Sequence, residues 1–214
     1  MKFIPYLACL CLLTANAQQA VFEVAQDTLK VQEIKKSNGS LALETIYGLG
    51  IPLSTVSEIS NDAFVSKAHF GAGLRYMFNQ YWGLKTQVSI NQFRGNDGLG
   101  TDFVGGDLQM VYNLGEGLSI PDATNQLVEV YVHSGLGAGY SKSIPQNRRE
   151  RVGQYLVGIS PRFCVSNTAA ILFDFSYVYN FKQHFYFDGT YANENGSYTT
   201  GSYLILAVGL ALNL

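Results

Sequence analysis

The sequence predicts an all-β fold, an eight-stranded antiparallel up-and-down β-barrel that crosses a membrane. Three observations predict it. From Ser40 onward, side chains alternate between two faces over segments of strand length, the period-2 signature of a two-sided sheet. Charged residues make up only 14% of a chain whose hydrophobic share, 47%, is ordinary, whereas soluble domains carry about 25% charge. Within the alternating segments every charge falls on one face, and that face is also rich in glycine.

The elements follow in order. Lys2, the apolar stretch 4–13 and Ala15-Asn16-Ala17 form the charged, apolar and small-x-small parts of a signal peptide, residues 1–17, with a mature start at Gln18. The apolar stretch is too short for a transmembrane helix. A lipoprotein signal is the alternative, because Cys9 and Cys11 are present, but neither follows the leucine-then-small-residue context it requires. Residues 18–38 are polar and mixed, and are expected to form a periplasmic lead-in to a barrel at 39–214.

Eight alternating segments are expected at 41–51, 67–78, 82–91, 107–114, 128–140, 154–164, 171–181 and 204–214. Leu43, Tyr47, Phe70, Leu74, Val88, Leu108, Val157, Phe175 and Leu210 typify one face; Glu44, Arg75, Gln87, Gly137 and Asp174 typify the other. A basic residue facing the hydrocarbon midplane costs about 2–4 kcal/mol, so the apolar face points outward and the polar face inward. Eight strands leave a lumen only wide enough for side chains, which suits the inner glycines. A soluble barrel or sandwich would have the opposite polarity.

Connections at 78–81 and 166–168 read as tight turns, with a longer one at 115–126. Longer polar links are expected at 53–66, 93–102, 141–151 and 183–197. This alternation resembles periplasmic turns and extracellular loops, with both termini in the periplasm and residence in the outer membrane. Tyr76, Tyr81, Trp82 and Tyr112 cluster near the short turns as an aromatic girdle.

The last residues resemble a terminal assembly signal carried by Gly209, Leu212 and Leu214 and read by the barrel assembly machinery. The usual pattern prefers a polar residue where this chain has Ala207 and an aromatic terminus where it has Leu214. Further stretches carry a second resemblance: Ser176-Tyr177-Val178-Tyr179-Asn180-Phe181 with the run on to Gly189, Gly158-Ile159-Ser160-Pro161-Arg162, and Tyr76-Met77-Phe78-Asn79-Gln80-Tyr81-Trp82. Over roughly 40–214 the chain is similar to the barrel domain of OmpA-like outer-membrane proteins. Many of those continue into a peptidoglycan-binding domain, and no such segment follows the barrel in this sequence, so a cell-wall tether is not carried over.

The inward face carries Glu44, Asp107, Glu129 and Asp174 against Lys67, Arg75, Lys85 and Arg162. This balance suggests a lumen charge network, read as a structural polar plug or, alternatively, as the gate of a narrow pore, a behaviour the resemblance also implies. Arg75 and Lys85 flank the turn at Asn79-Gln80 and should lie at similar heights, with Glu44 the nearest carboxylate in sequence order.

Catalysis is not expected. A lipid A-modifying barrel would need a histidine-serine-acid group on its lipid-facing surface, yet the adjacent His133 and Ser134 point to opposite faces, and His69 and His184 lack such neighbours. Cys164 is the one cysteine left after cleavage, a wall residue with no metal spacing. Lys and Arg number 14 against 16 acidic residues, which argues against nucleic-acid binding. No cofactor or metal is expected. The expected partners are outer-membrane lipid, lipopolysaccharide and the assembly machinery, and the protein is expected to be a monomer acting as a membrane scaffold.

Overall fold

The computed structural model describes residues 39–53, 65–95, 99–192 and 197–214, apart from the side chains of 65–67. The expected signal peptide and lead-in lie outside the described residues, as does most of the 53–66 link. The strands are β1 (Ser40–Pro52), β2 (Val65–Met77), β3 (Trp82–Arg94), β4 (Gly100–Asn113), β5 (Val128–Ser143), β6 (Arg148–Cys164), β7 (Ala169–Gln183) and β8 (Thr199–Asn213). Each pairs antiparallel with its neighbour in sequence, and β8 returns to β1 to close a barrel of eight strands.

Closure depends on a close approach. Ile46 of β1 lies opposite Gly209 of β8, and a Cβ at Gly209 would stand only 1.9 Å from the Thr45 carbonyl oxygen. Only glycine lets the two backbones meet there. The chain end continues the seam, with Leu214 N–H donating to Leu41 O at 2.8 Å.

At the turn end, Asn79 Oδ1 accepts from the backbone N–H of Tyr81 (2.8 Å) and Trp82 (2.9 Å), which ties the β2–β3 turn. The 115–126 link is not plain loop. It contains two single-turn helices, α1 (Leu114–Gly117) and α2 (Ile120–Ala123), and Asn113 caps the first through Glu116 N–H. Leu114, expected as a strand residue, therefore opens α1, because the asparagine side chain satisfies a helical N–H and stops the ladder.

Two links expected to be long are short. β3 and β4 pair as far as Arg94–Gly100, so residues 93, 94 and 100–102 belong to strands and not to a loop. Likewise β5 and β6 pair up to Ser143–Arg148, which leaves a turn at 144–147. Strand length was hidden because polar residues near a barrel rim read as loop on composition alone.

The outward face is apolar: Tyr47, Phe70, Val88, Leu108, Leu136 and Leu210 are all exposed. Trp82 and Tyr112 meet with ring centroids 4.8 Å apart, and Tyr81 stacks on Tyr112 at 6.4 Å. Among the described strand residues, outward-facing charges gather at the loop end, at Arg94, Asp102, Lys142, Arg149, Arg151 and Lys182, and leave the middle of the wall uncharged. Such a wall suits hydrocarbon and is unsuited to water.

The inward face is more apolar than the sequence suggested. Leu172 and Val178 of β7, with Tyr203, Ile205, Ala207 and Ala211 of β8, join Ile46, Leu156 and Phe93 in a buried apolar cluster. The lumen thus has an apolar wall along β8, and a polar wall spread over β1 to β7 in which apolar residues such as Ile46, Leu156 and Leu172 are interleaved. Side chains from both walls fill it.

Candidate functional site: the packed lumen and its cover

The charged residues of the polar wall occupy successive layers. In the layer nearer the turns, Arg75 and Lys85 are direct cross-strand partners. Two like charges so placed repel, and Glu44 stands between them: Arg75 Nε lies 2.7 Å from Glu44 Oε1, and Lys85 Nζ 3.2 Å from Oε2. All three side chains are buried, so their compensation is local. The Arg75 guanidinium lies 4.5 Å from the Tyr131 ring centroid, and Arg162 approaches the same ring at 5.3 Å. The Tyr131 π-system therefore meets two cations. Its hydroxyl donates to Glu129 Oε2 at 3.1 Å, and Arg162 donates to that same oxygen at 3.1 Å.

Among the described residues the acids of the next layer form no salt bridge with lysine or arginine. Asp174 accepts from Ser160 Oγ (2.8 Å) and Ser176 Oγ (2.5 Å), with His133 Nε2 at 3.3 Å. Asp107 accepts from Gln109 Nε2 at 2.5 Å. Among the described residues Glu44 serves two cations, Glu129 serves one, and Asp107 and Asp174 bond neutral or imidazole donors. The Lys67 side chain lies outside the described residues.

The histidine cluster could suggest a serine–histidine–acid device. Its connectivity is different, because both serines donate to the carboxylate and neither bonds the imidazole. Ser134 faces outward and donates to Tyr155 Oη at 3.0 Å. His69 is fully buried against Asn91, its Nδ1 2.7 Å from Oδ1. Cys164 is a free thiol packed beside the inner apolar cluster.

Very little space remains between these groups. A cavity of about 10 Å³ lies among Glu44, Arg75, Tyr131, Arg162 and Leu172. Another of about 20 Å³ lies among Gln87, Asp107, Gln154, Asp174 and Tyr203. Lys85 and His133 line both. Each is near the threshold of about 10–15 Å³ needed for one water.

Above this stands a cover that composition concealed. Residues 184–192, expected as part of a surface link, fold back into the loop-end mouth. Phe187 packs against Phe93 (4.7 Å between centroids) and Tyr203 (5.8 Å). Glu150, on the inward face of β6, accepts from the backbone N–H of His184 at 2.6 Å and of Phe185 at 3.3 Å, and its Oε2 lies 3.0 Å from His184 Nδ1. Thr101 Oγ1 donates to Phe187 O at 3.2 Å and Ser143 Oγ to Gly189 O at 2.6 Å. Three strands thus hold the segment down. The available signal was the run Phe185-Tyr186-Phe187, too aromatic for a solvated loop.

Among the terminal residues, Leu212 and Leu214 are exposed on the outer face and Gly209 lies at the seam.

A closed eight-stranded antiparallel barrel with an uncharged apolar belt and a packed polar lumen is the architecture of bacterial outer-membrane barrels, and the chain has that fold and that membrane. No protein-family model matches it, and no curated protein matches it by sequence. Solved structures do match. A major outer membrane protein from Thermus thermophilus is similar at TM-score 0.51 and 10% identity, over 83% of this chain and 100% of that one. Neisserial surface protein A is similar at TM-score 0.50 and 11% identity, over 82% and 97%. The N-terminal barrel domain of Pseudomonas aeruginosa OprF gives 0.49 and 11%, over 83% and 98%. At these identities the likeness is one of fold.

Proposed function

We propose that this protein is a monomeric structural scaffold of the outer membrane, a barrel of the OmpA-like kind. The barrel assembly machinery inserts it by reading Gly209, Leu212 and Leu214, and its loop end faces the cell exterior. The observation that carries this reading is the closed lumen. Among the described residues Lys85 and His133 line two cavities of only about 10 and 20 Å³, and the aromatic stack of Phe93, Phe187 and Tyr203 covers the mouth. A barrel filled in this way contributes a rigid wall and a displayed rim, not a passage.

The full mature chain folded into planar bilayers should give no steady ion current. It should also migrate faster unheated than boiled on a gel. Sustained conductance would favour the pore reading, and a soluble monomer without heat-dependent mobility would end the membrane reading altogether. Orientation is tested by cysteines introduced at Asn147 and Asn167: an impermeant maleimide on intact cells should label only the first. For the enzymatic alternative, lipid A from a deletion strain should have an unchanged mass spectrum.

A further inference from the structure

The outward face of β5–β7 carries a charge pattern that neither the fold nor the lumen explains. Lys142 and Arg149 are direct cross-strand partners, as are Tyr140 and Arg151 one step nearer the membrane. Like charges directly opposite on one face destabilise a ladder. Asp102 also neighbours Lys142, but it is ion-paired with Arg94. Glu150 lies between Arg149 and Arg151 in sequence, yet its carboxylate is turned inward onto the 184–192 segment. Among the described residues, Lys142, Arg149, Arg151 and Lys182 have no carboxylate partner.

Directly below these cations is a groove of about 580 Å³ in the lipid-facing wall, with Ala138, Gly153 and Phe181 as its apolar surface and Tyr140, Arg151 and Lys182 at its edges. Gly153 lets the Phe181 ring lie flat on the wall, so closely that a Cβ there would fall 2.3 Å from Phe181 Cε2, and the ring floors the groove. Arg151 leans over the Tyr140 ring, 5.9 Å from its centroid. An apolar trough continuous with the membrane belt, topped by cations that have no carboxylate partner among the described residues, matches an amphiphile with an acyl chain and an anionic head. A free soluble anion would have no use for the trough.

We propose that this face binds a phosphate-bearing glycolipid of the surrounding leaflet. Its phosphates are held by Arg149, Arg151, Lys142 and Lys182, and one acyl chain lies along Ala138 and Phe181. The inference rests on the outer-membrane reading above and assigns the lipid contact to one place on the barrel. Guanidinium groups suit it, because they bond phosphate oxygens in a bidentate fork.

The test uses the full mature chain in neutral detergent, with diphosphorylated lipid A, its dephosphorylated form and inorganic phosphate as probes, read by native mass spectrometry. Diphosphorylated lipid A should bind about tenfold or more tightly than the dephosphorylated form, since charge-assisted hydrogen bonds are the strong ones. The preference should vanish in the variant K142Q/R149Q/R151Q/K182Q, fall in R151Q/K182Q, and persist in R94Q/D102N, which removes a whole ion pair outside the groove and frees no carboxylate beside Lys142. Heat-dependent gel mobility in the same detergent shows that each variant is folded; if the fourfold variant is not, the double variant decides. Equal binding of the two lipids, or an unchanged preference in the folded charge variants, overturns the proposal. So does displacement of lipid A by millimolar inorganic phosphate, which would make the cations a site for free anions. A wild-type chain that shows no heat-dependent mobility defeats the outer-membrane reading itself. One that folds but ignores the phosphates defeats only this inference.

Discussion

At the scale of single residues, the lumen depends on Glu44 more than on either of its cations. Removing that carboxylate leaves Arg75 and Lys85 facing each other across a ladder with no shared anion, whereas removing Arg75 leaves the Glu44–Lys85 pair at 3.2 Å intact. Breaking a buried pair by deleting one partner costs about 3–5 kcal/mol. Glu44→Ala should therefore lower stability in urea unfolding from lipid vesicles by about that much, and Arg75→Ala by clearly less. The opposite order would mean that the Arg75–Tyr131 contact, not the carboxylate, holds the layer. The pattern of inward charges was legible because strand alternation assigns faces reliably. The partners of Asp107 and Asp174 were not, because serine, glutamine and histidine on an inward face show no sequence mark of which carboxylate they serve.

At the scale of elements, the seam and the cover carry separate predictions. Gly209 admits two roles, as part of a recognition signal and as the point where β8 meets β1. Refolding from urea into detergent, with no assembly machinery present, separates them. Gly209→Val should fail to acquire heat-dependent mobility in vitro, because its side chain would strike the Thr45 carbonyl. If it refolds normally, the glycine matters only to recognition. The cover hangs on Glu150, which accepts two backbone N–H groups of the segment. Glu150→Ala should make 184–192 exchange amide hydrogens faster, by about tenfold or more given that each charged hydrogen bond is worth about 1.5–3 kcal/mol, while β7 and β8 stay protected. The strands were legible by period, but their loop-end limits were not. Arg94, Asp102, Lys142 and Arg149 continue the ladder as outward polar residues above the apolar belt, where composition no longer distinguishes strand from loop.

At the scale of the whole molecule, the lumen is closed twice in series. The inner closure is the layer of Lys85 and His133, which lines both small cavities and is backed at the turn end by the buried cluster of Met77, Val111 and Tyr131. The outer is the stack of Phe93, Phe187 and Tyr203 under the cover. Ion current through resistances in series is set by the larger one, so opening either closure alone should change little. Phe187→Ala with Glu150→Ala clears the mouth but leaves Lys85 and His133 in place. Lys85→Ala with His133→Ala enlarges the cavities, leaves Glu44 its Arg75 partner, and keeps the aromatic stack shut. Each double variant should stay near the wild-type baseline in planar bilayers, and so should the fourfold combination, because Met77, Val111, Tyr131 and the Glu44–Arg75 pair still fill the turn end of the lumen. Steady current from the mouth variant alone would place the only effective closure at the cover, and the charged layer would then be a permeable, water-accessible lining and not a plug.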